Sequence, residues 1–260
     1  MASELNQVLE EEDVPVVLAM RYGNPSIARG LKELRSHQCD RLLILPLFPQ
    51  YASSTTGSAL EAVYRAASRD WNISMLEVIP SFYDHPDFIK AFAVQGERYM
   101  KSAPDHILFS FHGLPERHLF RGDEENHGCL KRDDCCSMIE NGNRNCYRAQ
   151  SFKSAELIAS HLKLDPEQWS VSFQSRLGRA EWIKPYTENR IRELGQKGMK
   201  KLLVFCPAFV ADCLETLEEI QIGAKEIFLE EGGEDLVMVP SLNATPDWIQ
   251  GISRMVRERL

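Results

Sequence analysis

The sequence has no long apolar run. None of its hydrophobic stretches reaches the roughly 20 residues a membrane-spanning helix needs. The opening MASELNQVLEEED is acidic where a signal peptide carries basic and apolar blocks. The expectation is a cytoplasmic protein, with peripheral contact at the inner membrane left open. Positive charge is also short: 30 Lys and Arg stand against 38 Asp and Glu, for a net charge of −8. Such a chain repels phosphate backbones, so nucleic acid is not an expected partner. The fingerprint G-x-G-x-x-G and the P-loop are both absent, which argues against a dinucleotide-dependent dehydrogenase and an NTPase. Repeats and low-complexity tracts are absent too. Seven cysteines, an odd number without a secretion signal, argue against a disulfide framework.

What is present is ordinary in bulk and specific in detail. A hydrophobic content of 43% over 260 residues supports one large domain or two small ones. Apolar runs at 14–20, 41–48, 74–80, 106–112, 169–174 and 201–209, and a weaker EIFL at 226–229, read as strands. Amphipathic stretches such as SIARGLKELRSH, PDFIKAFAVQGERYMK and ENRIRELGQKG alternate with them. That alternation predicts an α/β, doubly wound fold with parallel sheets covered on both faces. The strand number suggests two sheets. The expected division is residues 1–98, with the closing helix 245–260 packing back, and residues 99–244, with a cysteine-rich insertion at 122–150.

Ligands in such folds sit beyond the C-terminal ends of strands, and four strand ends carry chemistry. His112 ends the run HILFSFH and is followed by Gly113 and Pro115. A histidine there binds metal or moves protons, or simply bonds a nearby carbonyl. In CPAFVADCLETLEEI, Asp212, Glu215 and Glu219 fall on one helical face at i, i+3 and i+7. Asp212 with Glu215 also fits a helix-capping box. A carboxylate stripe suits a divalent cation or proton transfer; a solvated face is the plain alternative. The loop PQYASSTTGSAL, with Ser54, opens a helix whose N-terminus attracts anions, or is merely capped. The stretch FQSRLGRAEWIKPYT sets Arg176, Arg179 and Trp182 together, which suits a flat anionic ligand, unless the Trp only plugs the loop.

Cys129, Cys135, Cys136 and Cys146 crowd into one polar segment. Thiolates suit soft metals, and four in one loop hold zinc or an iron–sulfur cluster. The spacing C-x5-C-C-x9-C matches no common zinc pattern. Cys39 and Cys206 read as small core residues; Cys213 lies beside the acidic helix.

Taken in order, MRYGNP, LPLFPQYASSTTGSAL, SFHGLP, QSRLGRAEW, DCLETLEEI and SLNATPDWI resemble the ferrochelatase family almost from end to end, in its Gram-negative bacterial form. The resemblance implies two Rossmann-like, chelatase-type lobes and insertion of ferrous iron into protoporphyrin IX to form protohaem. His112 matches the family's essential histidine and Glu215 its glutamate partner, together binding the iron and handling the pyrrole protons. Asp212 and Glu219 extend an acidic path. Arg21, Tyr22, Ser54 and Trp182 match porphyrin-lining positions. The four cysteines of the insertion resemble bacterial members that carry a cluster in an internal segment, a [2Fe–2S] cluster being expected. The resemblance also implies that the N-terminal lobe is incomplete here, its first strand unit being absent. A coproporphyrin or other tetrapyrrole chelatase, and a truncated porphyrin-binding protein without turnover, are the alternative readings.

Overall fold

Three of the apolar runs pair side by side with a fourth, shorter strand. In the computed structural model, which describes every residue except 125–127 and 133, β3 (His106–His112), β4 (Trp169–Gln174), β5 (Lys201–Phe205) and β6 (Asp235–Met238) form one parallel sheet in the order β4–β3–β5–β6. The residues left undescribed fall in the cysteine-rich stretch expected at 122–150, so that part of the insertion lies outside the described residues. By contacts the chain divides into two units, Met1–Phe82 with Ala244–Leu260, and Tyr83–Asn243.

The second unit is organised by the period of two along its strands. Leu108, Leu202, Val204, Leu236 and Met238 point to one face. There they meet Ile191 and Leu194 of α7 (Thr187–Gln196), Ile220 and Ala224 of a π-helix (Leu217–Ala224), and Phe228 of α9 (Lys225–Glu230). The alternate residues form a phenylalanine layer, with Phe109 against Phe205 at 5.2 Å and Phe111 against Phe173 at 6.3 Å between ring centroids. This layer is covered by α4 (Pro86–Met100) and α6 (Tyr147–His161). At Gly96 of α4 a Cβ would lie 2.3 Å from the Phe205 ring, so only glycine lets the helix approach this closely.

The leucine face turns polar between β3 and β4. His106 Nε2 lies 2.8 Å from the Ser170 hydroxyl, and the hydroxyls of Ser110, Thr187 and Ser172 touch in series at 2.8 and 2.9 Å. Buried polar groups of this kind are tolerated because each has a partner. The stripe ends at His112 and Gln174, which face each other across the two strands.

In the first unit β1 (Arg41–Ile44) pairs in parallel with β2 (Met75–Val78). α2 (Ile27–Ser36), whose N-cap Ser26 hydroxyl accepts the Arg29 N–H, and α3 (Ser58–Ala67) pack around Leu31, Leu42 and Ala67. α1 (Ala2–Val8) lies on α10 (Pro246–Arg257), where Trp248 is wholly buried against Phe82.

Two sequence expectations differ from this structure, and one strand was not expected. EIFL is helical, not a strand: Ile220, Ala224 and Phe228 recur at a spacing of four and sit in one core, so the run continues a buried helical face. The strand that follows is Asp235–Met238, a four-residue run too short to stand out. Residues 14–20 are extended but join no sheet among the described residues. Their backbone groups bond elsewhere, Val16 N–H to the Asn6 side chain at 2.8 Å and Met20 N–H to the Pro25 carbonyl at 2.8 Å.

Burial, helped by nearby Arg190 and Lys197, lowers the His106 pKa from its ordinary 6.5 to about 4. The unfolded chain therefore takes up a proton between those values that the folded chain refuses. This contribution to stability is complete above about pH 6.5 and falls by on the order of 2–3 kcal/mol as the pH drops to about 4. Urea unfolding at stepped pH is expected to show this slope and to lose much of it in His106→Gln.

Candidate active site

His112 is held through the peptide unit that follows it. Its carbonyl accepts the Tyr147 hydroxyl at 2.8 Å, while the Gly113 N–H of the same peptide donates to the Gln174 carbonyl at 2.7 Å. A Cβ on Gly113 would stand 2.8 Å from that carbonyl and 3.1 Å from the Trp182 ring, so the position needs glycine. The imidazole Nδ1 lies 2.6 Å from the Gly113 carbonyl oxygen. A carbonyl only accepts, so Nδ1 carries the proton and Nε2 keeps its lone pair for a base or a metal ligand. The rings of Phe209 and Trp182 stand 6.1 and 6.3 Å from the imidazole.

Glu215 comes from α8 (Leu214–Thr216), and the way this helix starts frees its carboxylate. The capping box that the sequence suggests for Asp212 and Glu215 is formed one residue later, by Cys213 and Thr216. Thr216 Oγ1 accepts the Cys213 N–H at 3.1 Å. The Cys213 thiol also faces the Glu215 carboxylate. That contact, then the residue's own backbone N–H, and to a smaller extent the nearby His112, hold Glu215 below the usual carboxylate range. Burial and the same carboxylate push the Cys213 thiol up. Glu215 is therefore ionised near an imidazole whose neutral form, with Nδ1 bonded to Gly113, keeps a lone pair on Nε2.

Asp212 and Glu219 do not continue Glu215 along one α-helical face. Asp212 precedes the helix, where its carboxylate accepts the Ser241 N–H at 3.0 Å, the Asn243 side-chain amide at 2.8 Å and the Thr216 hydroxyl at 3.2 Å. Glu219 lies in the π-helix, whose bonds span one residue more than an α-helix's. Its carboxylate accepts both the N–H and the hydroxyl of Ser175, each at 2.6 Å. Ser175 has φ +64°, a left-handed conformation unusual for serine, and the two bonds hold it there.

Between them sits a residue not singled out from the sequence. Gln174 is 3% exposed. Its Nε2 donates to the Glu215 carbonyl at 2.6 Å and lies 3.4 Å from Glu219, and its Oε1 accepts the Ser110 hydroxyl at 2.8 Å. A side chain bonded into a helix ladder is a recognised cause of local widening, and the π-helix begins two residues on. A glutamine closing an otherwise apolar, alternating strand was the available signal.

The remaining expected residues fall in three places. Trp182 sits beside His112, its indole N–H donating to the Leu177 carbonyl at 3.0 Å, and Arg176 covers the Tyr186 ring at 4.6 Å. In the first unit, Arg21 lies 4.6 Å over the Tyr22 ring and bonds the Ser58 hydroxyl and carbonyl at 2.9 and 3.0 Å. Ser54 is exposed in a π-turn, Ser53–Gly57, that runs into α3 without a side-chain cap.

The four cysteines come together in series. The Cys146 thiol lies near those of Cys136 and Cys129, and Cys135 and Cys136 Sγ lie 3.6 Å apart. The contact with Cys146 pushes Cys136 up and lowers Cys129. Among the described residues, no three His, Cys, Asp or Glu side chains are gathered around one centre so as to hold a metal ion.

Known proteins align with the whole chain. A model of the ferrochelatase family matches residues 1–260. The ferrochelatase of Ectopseudomonas mendocina is 51% identical over 239 residues, 92% of this chain and 70% of that protein. That of Stutzerimonas stutzeri is 48% identical over 242 residues, 93% of this chain and 71% of that protein. That of Coxiella burnetii is 48% identical over 250 residues, 96% of this chain and 69% of that protein. Among solved structures, SirB from Bacillus subtilis with Fe3+ has a TM-score of 0.65 at 13% identity, covering 99% of this chain and 87% of that one. CbiX, the terminal enzyme for siroheme biosynthesis in denitrifying bacteria, has a TM-score of 0.60 at 15% identity, covering 100% and 89%. At those identities the likeness concerns the fold, and it is the parallel α/β fold expected from the sequence.

Replacing Gln174 by Met keeps the volume and removes the amide. The Ser110 hydroxyl and the Glu215 carbonyl then lose their partner, and an expected loss of about 1–3 kcal/mol is read from the urea midpoint.

Proposed function

The chain belongs to the ferrochelatase family, and from that premise we propose that it inserts ferrous iron into protoporphyrin IX, with His112 as the base and Glu215 as the ligand of the arriving iron. The observation that carries this reading is the pairing at the end of β3. A histidine whose Nδ1 is committed to the Gly113 carbonyl stands near a glutamate held ionised beside a thiol.

The chemistry asks for both. The free porphyrin carries two N–H protons that must leave before a metal seats between the nitrogens. A base with an available lone pair takes them one at a time, releasing the first to solvent before accepting the second, and Nε2 of His112 is such a base. Ferrous iron is a cation whose ligands include nitrogen and carboxylate oxygen, and an ionised Glu215 attracts it and balances its charge. Bending the macrocycle exposes the nitrogen lone pairs, and binding energy from the rest of the porphyrin offsets that strain. Arg21, Tyr22, Ser54 and Trp182 are proposed porphyrin contacts. For Trp182 the support is its ring beside His112. Asp212 and Glu219 are proposed as an acidic path, although the carboxylates of both are tied to backbone and side-chain donors.

The same reading assigns Cys129, Cys135, Cys136 and Cys146 to a [2Fe–2S] cluster. The support is that residues up to 17 positions apart bring their sulfurs into one chain of contacts. Thiolates are the ligands such clusters use. A bound cluster supplies tight bonds that tie this segment together. No helix among the described residues is long and apolar enough to cross a membrane. A cytoplasmic place with peripheral membrane contact, where an apolar product leaves, is part of the proposal.

Two measurements test it. Ferrous iron and protoporphyrin mixed anaerobically with the protein are expected to give the Soret shift of haem. His112→Ala should lower the rate by about 10²-fold or more and Glu215→Gln should lower it as well. Turnover with coproporphyrin alone would replace the substrate. For the cluster, visible and EPR spectra of the anaerobically purified protein are expected to show the [2Fe–2S] signature, with iron and acid-labile sulfide in equal amounts. Cys129→Ser should lose both, and a colourless protein free of iron and sulfide would remove the assignment.

A further inference from the structure

We propose that Tyr147 is a positioning residue for His112 and carries the state of the thiol chain to the imidazole. The proposal rests on the reading of His112 as the base.

Cys146 and Tyr147 are neighbours in sequence at the start of α6, Cys146 as its N-cap and Tyr147 as its first residue. Their side chains reach two different places. The Cys146 thiol lies near those of Cys129 and Cys136, while the Tyr147 hydroxyl donates to the His112 carbonyl at 2.8 Å. Tyr147 is 7% exposed, and its hydroxyl has the His112 carbonyl as acceptor. The peptide it grips is the one that orients the histidine. That peptide is fixed at its oxygen by Tyr147 and at its nitrogen by the Gln174 carbonyl. The Gly113 carbonyl that follows is the acceptor of Nδ1. Rotation of the 112–113 peptide would therefore move the acceptor, loosen the Nδ1 bond and mix the two tautomers. Only one of them leaves Nε2 with a lone pair.

The adjacent residue makes a parallel but separate tie. Arg148 Nε donates to the Lys184 carbonyl at 3.2 Å and lies 4.7 Å over the Phe152 ring, and it also approaches Cys136. It does not touch the 112–113 peptide. The two links thus separate general support of the segment from control of the imidazole. With Cys146 and Tyr147 on consecutive positions of one rigid turn, a shift of the sulfur displaces the start of the helix and with it the hydroxyl.

The test reads the histidine directly. His112 is followed by ¹⁵N NMR of its ring nitrogens, assigned by loss of the signals in His112→Ala, in wild type, Tyr147→Phe, Cys129→Ser and the double variant. Arg148→Met is the control. Tyr147→Phe is expected to shift the Nδ1 and Nε2 resonances toward a tautomer mixture and to lower kcat about tenfold with KM for the porphyrin unchanged. Cys129→Ser should shift the same resonances in the same direction, and the double variant should add little beyond Tyr147→Phe alone, which is the signature of coupling. Arg148→Met should leave the tautomer in place. Unchanged His112 resonances in Tyr147→Phe overturn the positioning role whatever the activity. Additive shifts in the double variant, or an equal shift in Arg148→Met, overturn the coupling. A fully active His112→Ala would instead overturn the functional reading, a result the resonances do not depend on.

Discussion

The buried amide of Gln174 joins the parts of the candidate site that must not drift. Its two ends reach β3 through Ser110 and the acidic helix through the Glu215 carbonyl, at 2.8 and 2.6 Å. Its backbone carbonyl takes the Gly113 N–H next to His112. A buried amide with all these partners is rigid because each bond lost leaves a desolvated group behind. The histidine and the glutamate come from elements about a hundred residues apart in sequence, yet both are anchored to this one side chain and its backbone.

Around that anchor the acidic residues divide their labour. Asp212 fastens the turn before the helix to the Ser241–Asn243 strand end. Glu219 holds Ser175 in its left-handed conformation. Capping falls to Cys213 and Thr216. Glu215 alone is spared structural duty at its carboxylate, apart from the contact with a thiol that keeps it ionised. A row of three acids that looks uniform in sequence is thus two braces and one less encumbered carboxylate, and only Glu219 lies in the π-helix.

Much of the fold was legible because it rests on continuous apolar runs and period-3.6 stretches. β3, β4 and β5 and the helices α2, α3, α4, α7 and α10 all fall where those patterns put them. EIFL misled because a four-residue apolar run fits either element, and only the distant partners Ile220 and Ala224 decide for helix. His112 and Glu215 were visible as reactive types at strand ends. Gln174, Ser175 and Tyr147 were not, since an amide, a hydroxyl and a phenol acquire their roles from partners tens of residues away. Nor does the local sequence mark a π-helix, whose widening depends on a bond from another strand. The cysteines were conspicuous by number, but their order of contact, Cys136 to Cys146 to Cys129, follows from how the segment folds back.

The polar stripe of β3 has one more implication. His106, Ser110 and His112 occupy alternate positions, with phenylalanines 109 and 111 between them on the opposite face. A strand paired one residue out of place would exchange the two sets completely. Hydroxyls would enter the aromatic layer without partners, and Phe111 would stand beside Glu215's helix where the imidazole belongs. The energetic preference that rejects such a misthreaded chain during folding is therefore the same one that delivers the histidine to its post. For this sheet, the register that keeps the hydroxyls out of the aromatic layer is the same register that sets His112 opposite Gln174.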